Sequence, residues 1–93
     1  MENKAIARQI KLLAQLLELH GENAFRTRAV ANAAFTIDKL PYKIADKSLS
    51  ELESIKGIGK SIASKIEELI SKAEISELTS LLSETPIGVV EML

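Results

Sequence analysis

The residues best suited to do chemistry lie in one short stretch, KGIGKS, at positions 56–61. Two glycines, Gly57 and Gly59, are separated by one isoleucine and followed at once by Lys60 and a run with helical spacing. Glycine allows positive backbone φ and lets a foreign backbone come close. The unpaired amides and partial positive charge of a helix N-terminus bind anions. The stretch therefore predicts a phosphate site, with Lys56 and Lys60 adding Coulomb attraction.

Two nucleotide-binding motifs and a simple helix end also place glycines in a similar way. A dinucleotide-binding G-x-G-x-x-G fingerprint fails because Ile62 holds the third glycine position and the preceding segment is helical. A P-loop matches at residues 59–61 but has Ser54 at its first glycine position. A plain helix C-cap at Gly57 with a tight turn into the next helix explains one glycine easily and the second less well. A helix–hairpin–helix element accounts for both, with Ile58 pointing inward to hold the turn against the core.

Composition limits the class of protein. The 93 residues fit one domain, and 46% hydrophobic with 3% aromatic residues predicts an aliphatic core of packed helices. Without cysteine there is no disulfide and no thiolate metal site. The formal net charge is −1, but residues 1–65 carry a balance of +4 and residues 66–93 a balance of −5. The basic part suits a nucleic acid, whereas the glutamate-rich end leaves a protein-interaction domain as an alternative.

Charged side chains recur through the first 20 residues, so neither a signal peptide nor a membrane span is expected. We expect a cytoplasmic protein, associated with the nucleoid if it is bacterial. Backbone amides carry no information about base identity. A nucleic acid held by the hairpin is therefore expected to bind without sequence preference and in a salt-dependent manner.

Hydrophobic spacing predicts two long helices ahead of the hairpin. The first covers residues 3–20, with Asn3 as its N-cap and Gly21 as a left-handed C-terminal cap. The second runs over 24–40, with Asn23 as its N-cap and a proline after it. Small residues on one side of this helix allow another helix to approach closely.

Shorter helices follow. Ser48 and Glu51 form a capping box. Helices are predicted over about 48–54, 60–72 and 74–84, with Thr85-Pro86 as the start of a last turn. No segment alternates with a period of two residues, so no strand is expected. The predicted fold is all-α, a compact single domain over 1–93 made of five or six short helices, with the hairpin motif at about 48–72.

Three segments of the chain resemble the N-terminal helix–hairpin–helix domain of family X DNA polymerases, which carries 5′-deoxyribose-phosphate lyase activity in polymerase beta. These are NKAIARQIKLLAQLLELHGENAFRTRA, AAFTIDKLP and LESIKGIGKSIASKIEELI, in this order. The resemblance runs essentially end to end and is greatest for bacterial and archaeal versions. It implies a module of base-excision-type repair that binds gapped, nicked or abasic DNA. It also implies downstream polymerase domains if the chain is part of a longer protein.

The resemblance makes Lys65 the candidate Schiff-base nucleophile of a lyase. A neutral ε-amine attacks the C1′ aldehyde of an abasic sugar, and the resulting iminium allows β-elimination of the 3′ phosphate. Without the resemblance, Lys65 is a surface lysine beside the apolar stripe of its helix. Three positions depart from the family pattern. Ser61 replaces a basic residue that holds the 5′ phosphate, Ser64 replaces a glutamate, and Val30 stands where an aromatic residue is frequent.

Further DNA contacts are implied by the same resemblance. Arg26 matches a phosphate-binding basic residue, and Phe25 matches a position that packs near the terminal nucleotide. By themselves, Arg26 is a solvated charge and Phe25 a core side chain. His20 is either a C-terminal cap of the first helix or a DNA contact. In family members with a monovalent K⁺ or Na⁺ ion at the hairpin, its ligands correspond to the backbone carbonyls of Glu53, Ile55 and Ile58.

Three hypotheses follow from the sequence. The first is a sequence-independent DNA-binding module that recognises backbone and 5′ phosphates and requires no cofactor. The second is an active lyase acting through Lys65, and the third is a protein-interaction domain. The only aspartates are Asp38 and Asp46, so the paired-aspartate motif of nucleotidyl transfer is absent and this chain alone is not expected to polymerise DNA. The predicted DNA-binding residues are Gly57, Ile58, Gly59, Lys60, Ser61, Lys56, Arg26, Phe25 and His20.

Overall fold

Two long helices, packed against each other as an antiparallel pair, form the frame of the protein. The computed structural model describes residues 2–86 and 88. Helix α1 spans Asn3–Leu19 and helix α2 spans Ala24–Lys39, and their facing apolar stripes make the most extensive contact between any two elements. The fully buried side chains of this contact include Ile6, Ile10, Leu13, Leu17, Ala33 and Ile37.

The connection between α1 and α2 forms as the sequence predicts. Gly21 adopts a left-handed conformation with φ of 73°. The amide of Glu22 donates to the Leu17 carbonyl at 2.9 Å, which closes the helix end in a Schellman arrangement. One residue later, the Asn23 side chain accepts a hydrogen bond from the Phe25 amide at 2.8 Å and caps α2.

Asn3 does not cap α1, contrary to the prediction. It lies inside the first turn, and Glu2 holds the N-cap position. The Asn3 amide group instead donates to the Tyr42 carbonyl at 2.6 Å, and its oxygen accepts from the Ile44 amide at 3.0 Å. These bonds fasten the segment after α2 to the start of α1. That segment contains a 3-10 turn at Ile44–Asp46 with Ile44 fully buried.

Three shorter helices complete the described fold. They are α3 at Leu49–Glu53, α4 at Lys60–Lys72 and α5 at Ser76–Ser83. The predicted capping box is present, because Ser48 Oγ accepts from the Glu51 amide and the Glu51 carboxylate accepts from the Ser48 amide. Helix α3 contacts α4, and α5 packs against α1.

Side-chain bonds fix both ends of α5. At its start, the Glu68 carboxylate accepts from the Ser76 hydroxyl at 2.6 Å and from the Ser76 amide at 2.8 Å, and these bonds lower the pKa of Glu68. At its end, Thr85 was predicted to cap a last turn. Its hydroxyl donates to the Leu81 carbonyl at 2.7 Å and lies 2.8 Å from His20 Nε2. Most of that last turn lies outside the described residues.

The all-α prediction is confirmed. Five α-helices and one 3-10 turn occupy residues 2–86, and that part of the chain contains no strand. None of its helices combines the length and the apolar character needed to cross a membrane. The architecture leaves the turn between α3 and α4 at the surface, beside α2.

Candidate nucleic-acid interface

The turn between α3 and α4 is held in place by Gly57 and Ile58. Gly57 has φ of 93°, and a Cβ atom added to it would lie 3.1 Å from Thr36 Oγ1 on α2. Ile58 is 3% exposed and points into the core, as the sequence predicted. Its amide donates to the Ile55 carbonyl at 3.0 Å. The fold itself therefore accounts for both residues.

Gly59 is different, because the fold does not require a glycine there. Its φ of −82° and ψ of 174° are open to any residue. Apart from its two neighbours in the chain, no described residue has a heavy atom within 4 Å of the Cβ position that a side chain would occupy. Gly59 forms the N-cap of α4 and accepts from the Ala63 amide through its carbonyl at 2.9 Å. A glycine at this open position keeps the surface accessible.

The amides that start α4 are available to an external acceptor. Within residues 2–86, no backbone carbonyl or side chain accepts a hydrogen bond from the amides of Gly59, Lys60 or Ser61. All three residues are exposed at the surface, as is Lys56 on the other side of the turn. Unpaired amides at the first turn of a thirteen-residue helix, next to two lysines, form the electrostatic arrangement that binds phosphate.

Arg26 and Lys65 converge on one carboxylate, that of Glu77, which no motif in the sequence marks as a site residue. Nη2 of Arg26 lies 2.6 Å from both carboxylate oxygens of Glu77, and Nζ of Lys65 lies 2.8 Å from Oε1. Arg26 also reaches Glu22 at 3.4 Å. The cluster joins α2, α4 and α5, and the Lys65 side chain is only 18% exposed. The two predicted site residues therefore lie together.

The charges of this cluster stabilise one another. Partial burial disfavours the charged form of Glu77, but the hydrogen bonds and charges of Arg26 and Lys65 outweigh it and lower the pKa of Glu77. The hydrogen bond between Arg26 and Glu77 raises the pKa of Arg26 above its ordinary value. Arginine and lysine side chains that bind a carboxylate can also bind a phosphate group through the same charge-assisted hydrogen bonds.

Phe25 is not a core residue. Its side chain is 83% exposed at the start of α2, next to Arg26 in sequence. An exposed aromatic ring beside a cation can stack on a nucleotide base.

His20, in contrast, is the C-cap of α1, and its ring forms a hydrogen bond with Thr85. Of the positions that depart from the family pattern, Ser61 and Ser64 are exposed, whereas Val30 is buried in the core.

The hairpin carbonyls fit a monovalent cation in part. Ile55 already accepts a hydrogen bond from Ile58, which leaves one lone pair on its oxygen. The carbonyls of Glu53 and Ile58 accept no backbone bond from the described residues. Neutral oxygen donors suit a hard cation such as K⁺ or Na⁺. Among the described residues, no group of three or more His, Cys, Asp or Glu side chains is placed to hold a metal.

Comparison with known proteins identifies the family of the chain. Residues 1–75 match the family model of a helix-hairpin-helix domain, so the chain belongs to that family. It is also 38% identical over 96 aligned residues to the DNA polymerase/3′-5′ exonuclease PolX of Bacillus subtilis (strain 168). This similarity confirms the resemblance to family X polymerases. The alignment covers 100% of the chain but only 16% of PolX, so the chain spans about a sixth of its relative's length.

Proposed function

We propose that the chain is a DNA-binding module that binds the sugar–phosphate backbone of gapped or nicked DNA without sequence preference. The amides of Gly59, Lys60 and Ser61 donate to a backbone phosphate, and Lys56 and Lys60 supply Coulomb attraction. The relative with similar sequence is by name a DNA polymerase and exonuclease. By this likeness, the module serves as the N-terminal part of a family X polymerase.

One observation carries the proposal. Gly59 has an ordinary extended backbone and open space around its missing side chain. Packing and strain therefore give no reason for glycine at this position, whereas close approach of another molecule's backbone does. The neighbouring amides have no acceptor within residues 2–86. A phosphate oxygen supplies that acceptor.

Recognition of a 5′ phosphate follows from Arg26 and Phe25. The guanidinium fork of Arg26 suits bidentate contact with a phosphate, and it already holds Glu77 at 2.6 Å. A 5′ phosphate exchanges with this carboxylate, while the exposed ring of Phe25 stacks on the terminal base. Binding is then stronger for a gap that ends in a 5′ phosphate than for one that ends in a hydroxyl.

A salt titration of binding to gapped DNA tests the proposal. On a gap that ends in a 5′ hydroxyl, which gives Arg26 no phosphate to bind, two lysines that neutralise two phosphates give a slope of log K against log salt of about −2. Lys56→Ala and Lys60→Ala each reduce this slope by about 1. Lys72, at the far end of α4, provides the matched control, and Lys72→Ala leaves the slope unchanged. Affinity that is undetectable or flat with salt contradicts the proposal and favours the protein-interaction alternative.

Lyase chemistry is a second candidate function, favoured by the shared contact of Arg26 and Lys65 with Glu77. It places the candidate nucleophile beside the candidate 5′-phosphate ligand. The amine of Lys65 attacks C1′ of the open-chain sugar and water leaves to give an iminium. Loss of the C2′ proton to water gives an enamine that expels the 3′ phosphate, and hydrolysis of the Schiff base frees Lys65. The Nζ atom of Lys65 lies 2.8 Å from Oε1 of Glu77, so this contact must open before the nitrogen can reach the sugar. Borohydride trapping on abasic DNA tests the step, and an adduct that survives Lys65→Ala excludes this nucleophile.

A further inference from the structure

A groove of about 550 Å³ lies between α1 and α2, on a different flank of α2 from the hairpin. The hairpin approaches α2 at Thr36, whose Oγ1 would lie 3.1 Å from a Cβ atom added to Gly57. At 100° per residue, Ala31 and Asp38 lie well away from Thr36 around the helix. The groove is lined mainly by Lys4, Arg8 and Lys11 of α1 and by Ala31, Phe35 and Asp38 of α2.

The α1 wall of this groove is cationic along its whole length. Lys4, Arg8 and Lys11 follow i, i+4 and i+7 spacing, so they share one helix face over about 10 Å. None of the three forms an ion pair with a residue of the described chain, in contrast to Arg26 and Lys65. Among the described residues that line the groove, Asp38 is the one acidic side chain. The groove therefore attracts a polyanion.

Exposed aromatic rings are interleaved with these charges. Phe35 is 66% exposed, and Nζ of Lys39 lies 5.3 Å from its ring centroid. Tyr42 is 41% exposed, and Nζ of Lys47 lies 5.0 Å from its ring centroid. Rings that accept bases beside cations that accept phosphates are the features of surfaces that bind single-stranded nucleic acid.

The groove leads round the end of α2 toward the hairpin. A second hollow, of about 320 Å³, shares Lys4 and Asp38 with the groove and reaches Tyr42. A third hollow begins at Tyr42 and ends at Ser54 and Ile55, where the hairpin starts. Hollows that share lining residues therefore lead from the groove toward the hairpin.

We propose that this groove binds the unpaired strand that leaves the duplex held by the hairpin. The inference rests on the proposed function and adds a second, separate contact to it. An acidic protein segment is the competing occupant. It fits less well, because the large exposed apolar side chains along the groove and the hollow next to it, Phe35 and Tyr42, are separated rings and not a continuous ridge for a partner helix. An unpaired DNA strand presents a base and a phosphate at every nucleotide, which matches the alternating rings and cations.

Binding of gapped DNA with and without an unpaired tail of about ten nucleotides, followed by fluorescence anisotropy, tests this inference. The tail is expected to raise the affinity of the unmodified protein about fivefold or more. Arg8→Ala with Lys11→Ala, and separately Phe35→Leu, abolish this gain but leave tail-free binding unchanged. Asp38→Asn enlarges the gain. These side chains are exposed, and circular dichroism verifies that the variants fold.

The outcomes separate this inference from the proposed function. Lys60→Ala weakens binding of both DNAs, whereas the groove variants affect the tailed DNA only. A tail that adds no affinity, or a gain that persists in the groove variants, overturns the inference and leaves hairpin binding intact. Binding of free oligothymidylate to the same variants tests the groove even if hairpin binding fails. Polyglutamate that displaces the tail at equal charge concentration assigns the groove to an acidic protein segment instead.

Discussion

The Nζ atom of Lys65 lies 2.8 Å from Oε1 of Glu77, a residue of the next helix along the chain. Glu77 at the same time accepts both short bonds from Arg26. A lysine proposed as a nucleophile and an arginine proposed as a phosphate ligand are thus bound to the same internal anion. Access to either cation depends on whether this carboxylate moves.

Substitution Glu77→Gln is expected to increase borohydride trapping of Lys65 on abasic DNA. The glutamine side chain lacks the negative charge that holds Lys65, so the lysine amine is free to reach the aldehyde. An ion pair of about 1 kcal/mol corresponds to a gain of about fivefold. Trapping is measured with Lys65→Ala and the double variant as controls. Trapping that is unchanged or lower in Glu77→Gln contradicts the idea that this contact restrains the lysine.

Glu77 also predicts how stability depends on pH. Its pKa is lower in the folded chain than in the unfolded chain, where it is about 4.3. The contribution of Glu77 to the free energy of unfolding is therefore complete above the unfolded-state pKa. It is lost as the pH falls through the lower pKa of the folded state. The unmodified protein should exceed Glu77→Gln in stability at pH 7 by up to about 1 kcal/mol, since the cluster is partly exposed.

Urea unfolding of the two proteins across the acid range measures this difference. Because Glu51 and Glu68 also have lowered pKa values, the comparison with Glu77→Gln is needed to isolate one group. The two proteins should become equally stable well below pH 4, where a protonated Glu77 resembles glutamine. A difference that stays constant as the pH falls would show that the ion pairs contribute nothing.

The two glycines of the hairpin should respond differently to valine. Gly59→Val fits the extended backbone and the open space, so we expect stability within about 1 kcal/mol of the unmodified protein. Its branched side chain stands over the free amides and weakens binding of gapped DNA about tenfold or more. Gly57→Val destabilises the fold by about 1–2 kcal/mol, because its φ is positive. Thermal unfolding and anisotropy, measured on both variants, separate the two effects. Equal loss of fold and binding in Gly59→Val would make this glycine purely structural.

Ala73 is the place where the chain departs from ordinary capping. It ends α4 in the left-handed conformation with φ of 58°, which glycine usually adopts. Ala73→Gly is expected to stabilise the protein by about 0.5–1 kcal/mol, measured as a rise in melting temperature. Gly21→Ala, at the corresponding end of α1, is the matched opposite change and should destabilise. A lower melting temperature for Ala73→Gly would contradict the assigned backbone geometry.

Local signals in the sequence were enough to predict most of the fold. These signals are the periodic apolar residues, the capping box of Ser48 and Glu51, and the left-handed cap at Gly21. Each of them involves residues that are only a few positions apart in the chain. The prediction of Asn3 as an N-cap is wrong, because its partners Tyr42 and Ile44 are about forty residues away in the chain. Long-range side-chain bonds of this kind leave no periodic pattern.

The site was predicted less completely, for the same reason. The hairpin is contiguous in sequence, so its glycines and lysines could be proposed as site residues from their spacing. Glu77 is a first-turn acidic residue of α5, a common position for a carboxylate near a helix N-terminus. Its contacts with Arg26 and Lys65 arise only when α2, α4 and α5 pack together. The opposite charges of the two ends of the chain were the only sign that they meet.

The central claim is that the free amides at the start of α4 bind the DNA backbone. Amide chemical shifts, followed by two-dimensional NMR during titration with gapped DNA, test it most directly. We expect the largest changes at Gly59, Lys60 and Ser61, and only small ones at Lys72 on the far end of the same helix. Saturable DNA binding that leaves those three amides unchanged would contradict the claim.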